Sequence, residues 1–340
     1  MTTKVAINGL GRIGRAFLKQ SIGNNEIEIV AVNDLGNLES LAYLLKYDSA
    51  YGRSGLDVKV GENKLIVNGH EITVCQQKDP AMLPWKDLNI DVVVESTGFF
   101  DSYDKANAHI TAGAKRVVIS APAKKSIEGG ATGATVLMGI NENDLGTCQI
   151  SSNASCTTNA SSPVIQILHE KIGIEKAILN TTHAYTGTQK LVDSPDTDFR
   201  RGRAAAANMS PSSTGAAIAV AEVITDLKGK FDGISVRVPV ITGSLADVTF
   251  IAKRSTSVEE VNQILRDAAK EPRWAGVFTA TDEQLVSTDI IGDTHASIAD
   301  LHMTRVVDGN LVKVLAWYDN EMGYTHTLVM HVIKVGQSLK

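Results

Sequence analysis

The residues Ser155-Cys156-Thr157-Thr158-Asn159 are the ones whose types and spacing could do chemistry. A Cys among hydroxyl and amide neighbours, at the junction of a strand and a helix, fits a nucleophile. The thiolate is the reactive form, and a helix N-terminus draws a free Cys pKa from ~8.5 into roughly the 3.5–7.5 range. Ser155, Thr157 and Asn159 offer cap chemistry and donors at the same helix end. On five residues alone, a buried structural Cys beside a helix cap is the commoner outcome. A covalent Cys mechanism also needs a base. Of eight His, His183 closes a predicted strand, Glu175–His183, inside Asn180-Thr181-Thr182-His183-Ala184-Tyr185-Thr186. An unperturbed pKa of ~6.5 fits it to take and return a proton near neutrality. The other seven sit in helical or hairpin patterns and are expected at the surface.

Such a pair needs a scaffold, and the first half of the chain supplies a recognisable one. Lys4–Asn8 reads as a short buried strand and runs into Gly9-Leu10-Gly11-Arg12-Ile13-Gly14, a GxGxxG. A helix follows, with Ile13, Phe17 and Leu18 on one face, ending near Gly23. Glu26–Asn33 is a strand rich in Ile and Val that ends in Asp34. Strand, glycines, helix, strand and acid in this order form a dinucleotide site. The first Gly allows the tight turn, the second lets backbone approach a pyrophosphate, and the third lets helix pack on strand. Asp34 would accept from the ribose hydroxyls and repel a 2′-phosphate, which favours NAD over NADP. The alternation continues through a helix at Asn37–Tyr47. A hairpin of Val58–Val67 with Glu71–Gln76 is predicted around Asn68-Gly69. Apolar strands are predicted at Asp91–Glu95, Lys115–Ser120 and Ala134–Met138. Fully apolar strands ending in small polar residues are what a covered parallel sheet requires.

After Cys156 the pattern changes. Ser162–Lys171 is helical, and if that helix begins at Cys156, Pro163 lies inside it. Ala184–Asn208 is long and nearly without periodicity, and it holds Thr186, Arg200, Arg201 and Arg203. A loop of this length usually has a function or an interface. Thr214–Leu227 reads as a helix capped by Ser213 or Thr214. Ile234–Pro239 and Ala246–Ala252 read as half-buried antiparallel strands. Ser257-Val258-Glu259-Glu260 opens a helix to about Lys270 with a capping box. Leu311–Tyr318 is a strand, and a last helix spans about Asn320 to Val335. The expected fold is an α/β Rossmann cofactor domain over 1–155, with a C-terminal helix at about 320–340 packing back on it. An α+β catalytic domain with a mostly antiparallel sheet follows over 156–319.

The chain has 340 residues, 43% apolar and 21% charged, with a net charge of −5. That composition excludes a disordered chain, and no Lys/Arg block indicates a nucleic-acid or membrane surface. Three cysteines without CxxC spacing give neither a disulfide framework nor a metal site. A cytoplasmic setting is expected, and no run approaches the ~20 apolar residues of a membrane span.

Taken together, these stretches closely resemble the phosphorylating glyceraldehyde-3-phosphate dehydrogenases. The resemblance runs through Val5–Arg15, Lys46–Gly52, Ile119–Pro122 and Ser155–Asn159. It continues through His183–Thr186, Ser213–Ala217, Arg237–Pro239 and Trp317–Tyr324. It implies Cys156 as nucleophile and His183 as its acid/base partner. It places Gly9, Gly11, Arg12, Ile13, Gly14, Asp34, Lys78, Thr97, Ser120 and Asn320 on NAD. It places Ser155, Thr157, Thr186, Arg201, Thr214, Gly215 and Arg237 on substrate and phosphate. The implied reaction converts glyceraldehyde 3-phosphate and inorganic phosphate to the acyl phosphate through a Cys156 thioester, in a homotetramer. The rival is erythrose-4-phosphate dehydrogenase. Two departures stand out. Ala160 replaces a second Cys common in the family, and the stretch after Tyr324 lacks a common Arg.

Overall fold

The computed structural model describes residues 2–124, 126 and 130–339. The expected ranges 1–155 and 320–340 also include residues outside that set. The chain divides into two compact units, Met1–Ala154 with Thr325–Lys340, and Ser155–Tyr324.

The first unit begins with β1 (Thr3–Asn8), α1 (Arg12–Ser21), β2 (Ile27–Asn33) and α2 (Leu38–Lys46). A two-residue ladder, β3 (Tyr47–Asp48) with β4 (Gly52–Arg53), precedes β5 (Val58–Gly61), β6 (Lys64–Val67) and β7 (His70–Cys75). Then come β8 (Val92–Glu95), α3 (Tyr103–Thr111), β9 (Arg116–Ile119), β10 (Gly133–Thr135) and β11 (Ile150–Ser152). Among the described residues one sheet has the order β10-β11-β9-β8-β1-β2-β7-β6-β5. Its strands are parallel from β10 to β7, and β6 and β5 add antiparallel hairpins at one edge. Val5, Ile7, Val92, Val94, Val117 and Val118 have no or almost no exposure, as a sheet covered on both faces demands.

The sequence expectation needs correction at two strands. Val58–Val67 is not one arm: it reverses at Asn63, φ +51, because Asn tolerates the left-handed region. The turn at Asn68-Gly69 is present between β6 and β7. The predicted strand Ala134–Met138 ends at Thr135. There Asn141 takes the backbone into its own side chain, donating to Thr135 O (2.8 Å) and accepting from Leu137 N (2.8 Å).

The second unit contains α4 (Cys156–Lys171), β12 (Ile174–Ala184), β13 (Ser210–Ser213), α5 (Ala216–Val223), β14 (Phe231–Val238) and β15 (Ser244–Ala252). It continues through α6 (Val258–Ala268), β16 (Phe278–Thr281), β17 (Ser297–Val307) and β18 (Leu311–Tyr318). The sheet order is β13-β14-β12-β15-β18-β17-β16, with two parallel pairs, β12 with β14 and β16 with β17. The other pairings are antiparallel. Strands β14 and β15 are separated by β12. α4 starts at Cys156 and runs through Pro163, whose ring supplies no N–H to the helix. The helix expected over 214–227 is shorter. Ser213 belongs to β13, Gly215 occupies the cap position, and Thr214 Oγ1 accepts from Ala216 N at 3.2 Å. Ser257 does cap α6, accepting from Glu260 N at 3.2 Å. α7 (Met322–Gln337) begins in the second unit and ends in the first.

Candidate active site and cofactor cavity

In the first unit a cavity of about 480 Å³ opens at the carboxyl ends of β1, β2 and β8. This is the switch point of the sheet, since β1 leads to β2 on one side and β8 lies on the other. Gly9, Gly11, Asp34, Lys78 and Thr97 line it, as the sequence implies. The glycines divide the work as the motif predicts. Gly9 has φ +97, and a Cβ there would meet Thr97 N at 2.8 Å. A Cβ on Gly14 would lie 2.0 Å from Gly9 O, so only Gly lets α1 pack there. Gly11 faces open space, which leaves its backbone bare to a ligand. Asp34 accepts from Leu10 N (2.7 Å) and Gly36 N (2.8 Å). Each carboxylate oxygen keeps a second acceptor site for a ribose hydroxyl. The arrangement fits the adenosine and pyrophosphate of a dinucleotide.

Five implied residues do not line the cavity. Arg12 pairs with Asp48 at 3.0 Å and lies over the Tyr51 ring, while Gly14 is under the turn. Ile13 is half-buried on α1, and Ser120 N donates to Glu95 O. Asn320 belongs to the second unit, where its Oδ1 accepts from Ser244 Oγ at 2.8 Å.

Sequence reasoning missed the network beneath the cavity. Glu95, 2% exposed, accepts from Asn8 Nδ2 (2.6 Å) and from Thr97 N (2.8 Å). Asn8 in turn accepts from Asn33 Nδ2 at 2.6 Å. His109, expected at the surface, is fully buried here, 3.0 Å from Glu95. Trp85 Nε1 donates to His109 Nδ1 (3.0 Å), and an indole N–H only donates, so the His109 proton sits on Nε2, facing Glu95. The apolar-to-polar step at each strand end was the signal available in the sequence.

In the second unit Cys156 is the first residue of α4, and Ser155 caps that helix by accepting from Thr158 N at 3.0 Å. Cys156 Sγ lies 3.3 Å from His183 Nε2. β12 carries His183, and the parallel register of β14 sets Arg237 directly beside it. Arg237 Nη1 is 2.9 Å from His183 Nδ1, and Ala184 O is 2.7 Å from the same nitrogen. These two contacts exclude each other as hydrogen bonds. A guanidinium only donates, so bonding to Arg237 puts the His proton on Nε2. Bonding to Ala184 O puts it on Nδ1 and frees Nε2 to accept. Burial and then the Arg237 charge push the His183 pKa down to about 3.

The expected depression of the Cys156 pKa by the helix end does not prevail. Burial raises it, against the opposing pull of Arg237 and of the bond to Thr157. The pair therefore stands as thiol and neutral imidazole, in reach for a proton transfer. Tyr318, which the sequence did not single out, sits edge-on to His183 at 5.9 Å. Its hydroxyl meets Thr157 Oγ1 (2.9 Å) and Thr181 Oγ1 (2.7 Å). Thr157 is thus buried with its hydroxyl turned onto Tyr318.

The remaining implied residues are more scattered. Arg201 donates to Ser212 Oγ at 3.1 Å, and its charge is felt at Arg237. Thr186 pairs with Thr188, and Thr214 Oγ1 accepts from Ala216 N beside exposed Gly215. No hydrogen bond among the described residues joins Thr186, Thr214 or Gly215 to Cys156 or His183.

Comparison with known proteins agrees across both units. The NAD binding domain model of glyceraldehyde 3-phosphate dehydrogenase matches residues 3–103, and the C-terminal domain model of the same enzyme matches 155–320. A glyceraldehyde-3-phosphate dehydrogenase of Zymomonas mobilis is 46% identical over 342 residues, covering all of both chains. That of Clostridium pasteurianum is 47% identical over 96% of each, and that of Geobacillus stearothermophilus 46% over 97% of each. Through both of its domains, the chain belongs to the glyceraldehyde-3-phosphate dehydrogenase family.

Proposed function

We propose that this chain oxidises and phosphorylates D-glyceraldehyde 3-phosphate with NAD, through a thioester on Cys156. The observation that carries the reading is the 3.3 Å contact of Cys156 Sγ with His183 Nε2 at the start of α4. In the competent arrangement His183 bonds Ala184 O through Nδ1–H and takes the thiol proton on Nε2. The Cys156 sulfur attacks the aldehyde carbon and His183 returns its proton to the carbonyl oxygen, giving a thiohemiacetal and a neutral Nε2. His183 then takes the hydroxyl proton of that adduct as it becomes a thioester. NAD, when bound, accepts the hydride lost in this step. Inorganic phosphate attacks the thioester carbon, Cys156 leaves as thiolate, and the acyl phosphate departs. The backbone N–H of Cys156 stabilises the oxyanion in both additions.

Arg237 and Arg201 hold phosphate groups, for which Arg forks are suited. A phosphate that draws Arg237 off His183 Nδ1 also returns that nitrogen to Ala184 O, so substrate binding favours the basic form of Nε2. Ser155, Thr157, Thr186, Thr214 and Gly215 complete the substrate sites in this reading, and Arg12, Ile13, Ser120 and Asn320 the NAD site. A homotetramer and a cytoplasmic location belong to the same reading. They rest on the family resemblance, and light scattering of the purified protein tests the first.

The test is the initial rate of NAD reduction with glyceraldehyde 3-phosphate or erythrose 4-phosphate, each with and without inorganic phosphate. Preference for the triose with strict dependence on phosphate is expected. Preference for the tetrose, or turnover that ignores phosphate, would overturn the assignment.

A further inference from the structure

A second buried histidine takes no part in the chemistry of the Cys156–His183 pair. His331, on α7, is fully buried in the first unit, contrary to the expectation of a surface position. Its Nδ1 lies 3.1 Å from Asn153 Oδ1, an atom that can only accept, so Nδ1 carries the proton. Its Nε2 is 2.8 Å from Ser151 Oγ, and burial pushes its pKa down to about 3, so it is neutral and Nε2 accepts from that hydroxyl. Asn153 donates onward to Thr327 Oγ1 at 3.3 Å. The bonds therefore run in one direction, Ser151 to His331 to Asn153 to Thr327.

What they hold is the short run between β11 and Cys156. Asn153 N donates to Ile119 O (3.0 Å), Ser152 Oγ to Ala121 O (2.6 Å), and Ala154 N to Ser152 Oγ (3.0 Å). Ala154 follows at φ +55, a left-handed conformation that is strained for a residue with a side chain. Such strain persists only where the surroundings over-determine it. The two residues after Ala154 are the helix cap and the nucleophile. Thr325, where the chain re-enters the first unit, lies two residues before Thr327. One set of bonds within the first unit thus joins the segment that precedes Cys156 to the segment that begins at Thr325.

The structure assigns His331 as a positioning residue for Cys156, acting through Asn153 and the strained Ala154. The assignment rests on Cys156 being the nucleophile of the proposed reaction. His331 is not among the residues that line the cofactor cavity.

The test is the rate at which iodoacetamide alkylates Cys156, read by peptide mass so that Cys75 and Cys148 are scored apart. Turnover of the wild-type protein and of each variant is measured separately. Alkylation follows the thiol whatever the aldehyde is, so failure of the substrate assignment leaves this test intact. His331→Leu is expected to slow Cys156 alkylation and kcat by roughly tenfold, with the KM for NAD within about twofold of wild type. His331→Asn, whose amide N–H can take the place of Nδ1–H, is expected to recover most of the rate. His331→Gln, which reaches instead toward Ser151, is not. A wild-type alkylation rate in His331→Leu overturns the proposal. If His331→Leu does not fold, the comparison of the Asn and Gln variants decides, and equal rates in those two overturn it.

Discussion

His183 in the second unit and His331 in the first are 3% and 0% exposed, and burial holds each neutral with a pKa near 3. Their partners differ. Both nitrogens of His331 are satisfied by fixed groups, Ser151 and Asn153, and no proton has anywhere to go. His183 has a thiol on one nitrogen, and two incompatible partners, Ala184 O and Arg237, on the other. Burial alone therefore does not make a catalytic histidine. What distinguishes His183 is an unresolved contest at Nδ1, which lets the proton on the ring move.

The largest effect that would break this comparison comes from the open pair. Cys156→Ser is expected to lower NAD reduction by at least ~10³-fold while NAD still quenches protein fluorescence as in the wild type. His183→Asn should cost roughly 10²–10⁴-fold in the acylation burst, since it removes the proton acceptor. Substantial turnover in either variant would mean that the 3.3 Å contact is structural, like that of His331.

A smaller effect sharpens the role of the contest itself. Arg237→Leu removes both a phosphate fork and the donor to Nδ1. We expect kcat/KM for the phosphorylated aldehyde to fall by ~10²-fold, the scale of one or two charge-assisted bonds. Oxidation of unphosphorylated glyceraldehyde should fall far less, because His183 then bonds Ala184 O without competition. Equal losses on the two aldehydes would show that Arg237 acts on the chemistry alone.

The parts of this site that were legible in the sequence are those fixed by local backbone. The glycine turn, the Asp34 position and the cap at Ser155 each follow from neighbours within a few residues, and the structure has them. The Arg237–His183 contact links residues 54 apart and depends on the parallel register of β12 and β14, which no periodicity reveals. His331 meets Ser151 across 180 residues, so its burial was invisible from its own helix. Strand β17 was missed for a different reason. Its register slips between Asp300 and Arg305, which breaks the alternation that marks a half-buried strand. The direction of the Cys156 shift was misjudged because a helix end is a local feature, whereas the burial that outweighs it comes from the whole fold.

The smallest expected effect compares the two histidines on equal terms. Each has a folded pKa near 3, below an unfolded value of ~6.5. Between those values the unfolded chain binds more protons than the folded one, so stability rises with pH and is lost as pH falls below ~6.5. From pH 7 to pH 5 each buried histidine should therefore cost ~2 kcal/mol, before carboxylates begin to titrate. Urea midpoints at the two pH values measure this. His331→Asn and His183→Asn should each shrink the pH 7-to-5 loss by about one histidine's share, and the double variant should shrink it by about two. If the His183 variant alone keeps the full loss, the contested Nδ1 already admits a proton in the folded state. The resting pair would then be charged rather than neutral.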